Sequence, residues 1–423
     1  MLPGPFRPGQ EHPAIRGLSG KMQFDVAIVG GGPVGLAFAR EMAGSGLSLA
    51  VIETQPEARL ADPGFDGREI ALTHLSQDLM RALGAWDHLP AGAASALREA
   101  RVLNGGSPYA LHFDVSDRAE AALGQLVPNH LIRRALFAAT RGQAGLTLLA
   151  GTSVTGATIA RQGARLALSD GREVAAKLVV AADTRFSPLR KAQRIEADVT
   201  DFAKSMLVCR LEHEGEHGHV ATEWFDNDQT IAMLPLNGRC SSAVITLPKP
   251  EIERLMALDG TAFSAEVTER YRNRLGAMRL VSSRHAYPLV TTYARRFVAP
   301  RFALIGDAAV GMHPVTAHGF NLGLRGAHTL AEELRGALAR GADFARAEAL
   351  DAPLAAYESR HRRATWPLYT GTNLLAKLYT DERVPARLAR HAALRLGNRL
   401  TPFKHIIRGM LMESDGPRPS SRG

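Results

Sequence analysis

The chain has 423 residues, enough for two or three domains at about 150 residues each. Hydrophobic residues make up 45% and charged residues 22%, an ordinary globular mix that excludes a disordered or fibrous chain. The net charge of +9 suits an anionic substrate, an anionic membrane surface or nucleic acid. With aromatics at 6% and no arginine run interleaved with them, a nucleic-acid partner is the reading set aside.

Residues 1–22 are rich in Gly and Pro and lack an apolar stretch, so they read as a disordered lead and not as a signal peptide. No run approaches about 18 apolar residues, so no membrane-spanning helix is expected. A cytoplasmic protein, peripheral on the membrane, is the expectation. Cys209 and Cys240 fit no zinc or thioredoxin-type spacing and read as free thiols. No metal site is expected.

Phe24–Val29 is a short apolar run that predicts a buried strand. A glycine-rich turn, a helix over Pro33–Ala43 and a second apolar strand over Ser48–Ile52 complete a βαβ unit. Residues 54–69 read as a loop, followed by helices over Ser76–Leu83 and Asn129–Gln143. Strands are predicted at Leu146–Leu149, Val154–Arg161, Arg165–Leu168 and Lys177–Ala181. From Met206 to Thr246 the pattern is short strands, an antiparallel sheet in texture. Helices at 251–257 and 262–274, a strand at Arg301–Ile305, a long helix over Gly319–Arg340 and a helical tail from 351 to 408 follow. The expected fold is α/β. A Rossmann-like, discontinuous nucleotide domain takes residues 23–72, 100–195 and 296–345, with an inserted antiparallel β substrate domain of residues 73–99 and 196–295. A helical C-terminal region covers residues 346–423.

Three motifs carry chemistry. The first is Gly30-Gly31-Gly32-Pro33-Val34-Gly35, a G-x-G-x-x-G between a strand and a helix. Gly30 permits the turn, Gly32 lets backbone approach a pyrophosphate and Gly35 lets helix pack on sheet. The helix N-terminus offers free N–H groups to the phosphates. Glu53, at the end of the second strand, is placed to accept hydrogen bonds from ribose hydroxyls. This motif does not separate FAD from NAD. The second is Leu304-Ile305-Gly306-Asp307-Ala308-Ala309, where a strand-end carboxylate suits a ribityl hydroxyl of a flavin. It leads through His313, Pro314 and His318 to a helix opening at Gly319, Phe320 and Asn321. The positive end of that helix would favour an anionic reduced flavin. The third runs from Val180 to Arg190 and places Asp183, Ser187 and Arg190 where flavin ribose or a pyridine nucleotide can meet them.

In this order and spacing the three motifs resemble the aromatic-ring hydroxylase group of flavoprotein monooxygenases, and most closely its ubiquinone-biosynthesis hydroxylases. Arg68-Glu69-Ile70-Ala71-Leu72 and Val127-Pro128-Asn129-His130-Leu131-Ile132-Arg133 fit the same family. The chain departs from it at Asp183-Thr184 (Asp-Gly is usual), at Asp307-Ala308-Ala309-Val310 (usually ending in His) and at Ala317-His318-Gly319 (usually Gly-Gln-Gly). The Met312–Asn321 string resembles the branch that hydroxylates demethoxyubiquinol. Thr184 leaves open how a pyridine nucleotide is handled.

The resemblance implies FAD as cofactor, with NAD(P)H or another donor as reductant. It further implies oxygen addition at flavin C4a and delivery of a hydroxyl to a prenylated benzoquinol or phenol. The cofactor contacts it implies come from Gly30, Gly32, Pro33, Val34, Gly35, Glu53, Arg68, Arg133, Asp183, Gly306, Asp307, Gly319, Phe320 and Asn321. His313, Pro314 and His318 are the candidate catalytic residues: the histidines could orient a quinol hydroxyl or relay a proton, since histidine titrates near neutrality. Other ubiquinone-biosynthesis proteins are expected partners. Residues 384–408 carry Arg387, Arg390, Arg395, Arg399, Lys404 and Arg408, no acidic residue, and interspersed Leu and Ile, a pattern suited to an anionic membrane surface. A hydroxylase of a small soluble aromatic acid and a non-catalytic flavin-binding scaffold subunit remain the alternatives.

Overall fold

The computed structural model describes residues 21–105, 110–114, 122–226, 229–313 and 319–380. Lys21–Val29 forms the first strand, and its last four residues are buried. It pairs in parallel with Leu49–Glu53 on one side and with Glu173–Ala181 on the other. Phe302–Leu304 and Leu146–Ala150 extend the parallel sheet at its two sides. In register, Val29 stands opposite both Ile52 and Ala181, and Ala181 opposite Leu304. The carboxyl ends of four strands therefore share one edge. Because the chain steps from the first strand to opposite sides, that edge is a switch point where open α/β sheets bind ligands. The helices Pro33–Glu41, Asn129–Thr140 and Gly319–Ala339 pack in the same core, through Leu36, Phe38, Ile132, Leu136, Leu324 and Leu330 among others.

Among the described residues the second sheet has nine strands, built on Ala197–His213 flanked by His285–Ala294 and Cys240–Pro248. It is antiparallel except where Val220–Asp226 runs parallel to Glu99–Asn104. One face packs Leu207, Cys209, Trp224, Ile231 and Ile245 beneath the helices Lys249–Ala257 and Gly260–Arg270. A third, three-stranded sheet of Glu69–Leu72, Gly124–Pro128 and Ser95–Leu97 joins the two halves.

The βαβ start, the return strand and the long helix lie where the sequence places them. Four points differ. The loop 54–69 contains a helical turn, Glu57–Ala61. The strand His285–Ala294 was not anticipated, because Pro288 and its threonines blur the alternation. Residues 73–99 were expected in the substrate domain, yet Leu79 and Met80 of the helix His74–Ala82 lie in the core of the first sheet. Residues 100–114 were expected in the nucleotide domain, yet Glu99–Asn104 and Ala110–Asp114 extend the second sheet. The second assignment is not legible locally, since the partner Val220–Asp226 lies about 120 residues further on. The C-terminal region is helical over Glu348–Thr380. The basic segment 384–408 and the lead up to residue 20 lie outside the described residues, as do Pro314 and His318. No helix among the described residues is long and apolar enough to cross a membrane.

Candidate active site

Three glycines of the first motif serve different ends. Gly30 has φ +111°, and a Cβ there would sit 2.3 Å from the carbonyl oxygen of Ala182. A Cβ at Gly35 would sit 2.0 Å from the carbonyl oxygen of Gly30. Both positions are glycine because backbone meets backbone. At Gly32 a Cβ would meet nothing within 4 Å, and the residue is extended at φ −70°. Packing does not require glycine there; a group approaching from outside the protein would. Gly32 is also the N-cap of the helix Pro33–Glu41, with Pro33 at its first turn. The first-turn N–H groups therefore point into the same space. The structure thus offers a cradle that a Cβ would fill, and a dinucleotide pyrophosphate fits it.

Glu53 stands beside this turn. Its Oε2 accepts from the Gly31 N–H at 2.6 Å, and Oε1 accepts from the Gln55 N–H at 2.8 Å and the Thr54 hydroxyl at 2.9 Å. The carboxylate is held by backbone and keeps lone pairs for ribose hydroxyls. Asp183 follows the strand Glu173–Ala181 on the other side of Gly30. Its Oδ2 accepts from the Ser187 hydroxyl at 2.9 Å, and burial pushes its carboxyl above the usual range. Its Oδ1 is buried without a hydrogen bond, an acceptor or donor left for a ligand.

Val34 links this turn to the second motif. A Cβ on Gly306 would lie 3.2 Å from Val34 Cγ1, and one on Gly323 would lie 2.7 Å from Val34 Cγ2. Two glycines from distant segments therefore receive one side chain, and Gly306 takes φ +59° to turn the chain. Asp307, half-exposed, comes next at the same edge; its Oδ2 accepts from Arg185 Nη2 at 2.8 Å and Nε at 3.2 Å.

Arg68 and Arg133 both lie near Tyr287. Arg68 pairs with Asp66 at 2.6 Å and stacks over Tyr287, 5.4 Å from its centroid. The Arg68 cation, with hydrogen bonds from Arg68 and Asn129, holds the Asp66 carboxyl below the usual range against the effect of its burial. Arg133 is half-buried on the helix Asn129–Thr140 and carries no hydrogen bond or ion pair among the described residues. It remains a free cation for an anionic group.

Three expected residues sit elsewhere or act differently. Asn321 is buried; its Nδ2 donates to Ala71 O at 2.8 Å and its Oδ1 accepts from Thr73 N at 3.3 Å. Its amide fastens the helix Gly319–Ala339 to the strand Glu69–Leu72. Phe320 is buried in the first core. His313 is buried with its ring edge-on to Phe202, centroids 4.8 Å apart. Burial lowers its pKa to about 4, so it is a neutral imidazole near pH 7 and does not titrate near neutrality.

The sequence did not single out the inner face of the second sheet. Trp224 points to the helix-covered side, so Ala221, Glu223 and Phe225 share the other. There Ala221 packs with Leu97, Leu111, Leu123, Leu234 and Ala71, an apolar cluster bridging to the strand Glu69–Leu72. Polar groups on this face include Thr230, Ser242, Thr246 and Arg210. Glu69 Oε1 accepts from Arg210 Nη2 at 2.6 Å, yet burial pushes its carboxyl up to about 7. Burial pushes the Glu223 carboxyl up to about 8. A lone Glu in the run Val220–Asp226 was the available signal.

A parallel-sheet edge carrying a glycine turn and three strand-end carboxylates, tied through Arg185 to a second β sheet, suits a flavoprotein of the aromatic-ring hydroxylase type. Residues 23–371 match the FAD-binding-domain family. The chain belongs to that family and, within it, to the ubiquinone hydroxylases. It is 44% identical over 387 residues to the ubiquinone hydroxylase UbiM of Neisseria meningitidis, covering 90% of this chain and 83% of that one. Identity to the ubiquinone hydroxylase UbiL of Rhodospirillum rubrum is 37%, covering 90% and 88%. Against the 3-demethoxyubiquinol 3-hydroxylase of Escherichia coli it is 29%, covering 90% and 96%. Among solved structures, p-nitrophenol 4-monooxygenase PnpA from Pseudomonas putida superposes with a TM-score of 0.73 at 17% identity, covering 94% and 100%. The anhydrotetracycline hydroxylase OxyS from Streptomyces rimosus gives 0.69 at 22%, covering 95% and 78%. These two show the fold alone. The protein is an FAD-dependent monooxygenase.

Proposed function

We propose that this enzyme hydroxylates the ring of a prenylated benzoquinol precursor of ubiquinone, demethoxyubiquinol among them. Molecular oxygen is the co-substrate and NAD(P)H the source of electrons. The observations that support the reading are the convergence at one sheet edge of Gly32, Glu53, Asp183 and Asp307 and the separate apolar cluster of Ala71, Leu97, Leu123, Ala221 and Leu234. Bound FAD supplies the redox and oxygen-activating chemistry that side chains lack.

The chain's own residues bind, orient and exclude. The N-terminus of the helix Pro33–Glu41 takes the pyrophosphate, and Glu53 takes the ribose. Asp307 receives a hydroxyl of the flavin chain, and Arg68 and Arg133 offer positive charge to the phosphates. The apolar cluster of Leu97, Leu111, Leu123, Ala221 and Leu234 favours an alkylated ring by burying its apolar surface. His313, neutral at the working pH, serves as a hydrogen-bonding imidazole that positions a ring hydroxyl and not as a standing acid. The membrane is where such a substrate resides, and residues 384–408 give the protein a basic, apolar-interspersed means of reaching it.

The test is lipid extraction from cells lacking the protein, followed by mass identification of the accumulating quinone precursor. Accumulation of a prenylated ring short of one oxygen, relieved by the intact chain and not by Asp307→Ala, supports the reading. Normal ubiquinone and no such precursor would refute it.

A further inference from the structure

Arg185 lies two residues after Asp183, beside Thr184. Its guanidinium is engaged on three sides. Nε and Nη2 donate to Asp307 Oδ2 at 3.2 and 2.8 Å, and Nη1 donates to Val290 O at 2.6 Å. On the third side is Gly311, where a Cβ would come within 3.6 Å of Arg185 Nε and 3.0 Å of Arg185 Cβ. The backbone around it is braced as well. Arg190 Nη1 donates to both Arg185 O and Ala308 O at 2.9 Å, tying the residue itself to the neighbour of Asp307. These contacts join positions 122 and 105 residues apart in the chain.

Both guanidinium contacts on Asp307 fall on Oδ2. Oδ1 accepts no hydrogen bond among the described residues, and the side chain keeps 42% of its surface open. A carboxylate gripped by one oxygen has the other aimed in a fixed direction. We propose that Arg185 is a cofactor-positioning residue: it holds Asp307 with Oδ1 turned to a hydroxyl of the bound FAD chain and cancels the Asp307 charge. The second part matters because the flavin gains negative charge on reduction, which a bare carboxylate nearby would oppose and a neighbouring guanidinium offsets. Val290 belongs to the strand His285–Ala294 of the second sheet, so the same guanidinium ties the cofactor edge to that sheet.

The test compares Arg185→Gln, Arg185→Lys, Asp307→Asn and the Arg185→Gln/Asp307→Asn double variant of the full chain. Apoprotein melting, FAD dissociation constant and flavin midpoint potential are measured on each. Arg185→Gln is expected to weaken FAD binding roughly tenfold, with Arg185→Lys recovering part of the loss, as for a charge-assisted contact. The double variant should bind FAD no worse than Asp307→Asn alone, because the two residues act as one unit. The midpoint potential should fall in Arg185→Gln, which leaves the carboxylate bare, and rise in Asp307→Asn, which leaves the cation bare. The double variant should return toward the wild-type potential. A lower apoprotein melting temperature with wild-type FAD affinity and unmoved potentials in Arg185→Gln and Arg185→Lys would make the arginine a structural staple and overturn the proposal. These readouts need no quinol, so they are independent of the substrate reading above.

Discussion

Substituting the glycines of the first motif one at a time separates fold from cofactor. Gly35→Ala puts a methyl 2.0 Å from the carbonyl oxygen of Gly30, and Gly30→Ala puts one 2.3 Å from that of Ala182 while holding alanine at φ +111°. Neither neighbour is a flexible side-chain tip, so backbone must move. Overpacking of this kind costs about 1–3 kcal/mol, and the strained φ adds about another 1. Gly32→Ala meets no atom within 4 Å and keeps an extended backbone at φ −70° that alanine accepts. Its apoprotein should therefore stay within about 1 kcal/mol of wild type, the reduced entropy of the unfolded chain opposing the poorer N-cap that alanine makes. The added methyl lies where the pyrophosphate approaches, so FAD affinity should fall by more than tenfold, about 1.4 kcal/mol or more. The assay is thermal melting of each apoprotein together with FAD titration followed by flavin fluorescence. Gly32→Ala with wild-type FAD affinity would refute the assignment of the open cradle, and Gly35→Ala with an unchanged melting temperature would refute the packing argument.

Further outcomes follow from the same geometry. Asp307→Ala should retain the apoprotein fold, by circular dichroism and melting, while losing flavin occupancy or hydroxylation; wild-type values of both would remove the residue from the site. His313 has a folded pKa lowered to about 4 by burial, against 6.5 when exposed, so the unfolded chain takes up the proton first as pH falls. Its contribution is complete above pH 6.5 and is lost toward pH 4, the loss reaching about 2 kcal/mol at pH 5, and His313→Phe should flatten that part of a stability–pH curve. An unchanged acid slope would show that the imidazole is not buried in solution. Removing residues after 383 should weaken binding to anionic liposomes, and salt should weaken that of the intact chain. Intact protein indifferent to such vesicles at low salt would end the membrane reading.

The nucleotide-binding start was legible because everything it needs is local: an apolar strand, a glycine turn, a helix and Glu53 at the end of the next strand. Asp183 and Asp307 were legible as strand-end carboxylates, and the parallel register brings them to the edge that holds Gly30. What stayed hidden depends on distant partners. Asn321 reads like a ligand-facing residue until Ala71 and Thr73 take both ends of its amide. His313 reads as titratable until it is found buried against Phe202. Arg185 gains a role only through Asp307 and Val290. The strand Glu99–Asn104 is half-buried throughout and shows no clean alternation, so its place in the second sheet is set by Val220–Asp226 and not by its own pattern.

The most direct measurement supplies the purified, FAD-loaded enzyme with a reductant, isotopically labelled oxygen and a short-chain prenylated benzoquinol, and weighs the product. The account predicts one labelled oxygen atom on the ring, formed in step with reductant consumption, and little turnover of small aromatic acids. Reductant consumed with hydrogen peroxide as the sole product, or label entering an aromatic acid but not the quinol, would contradict it.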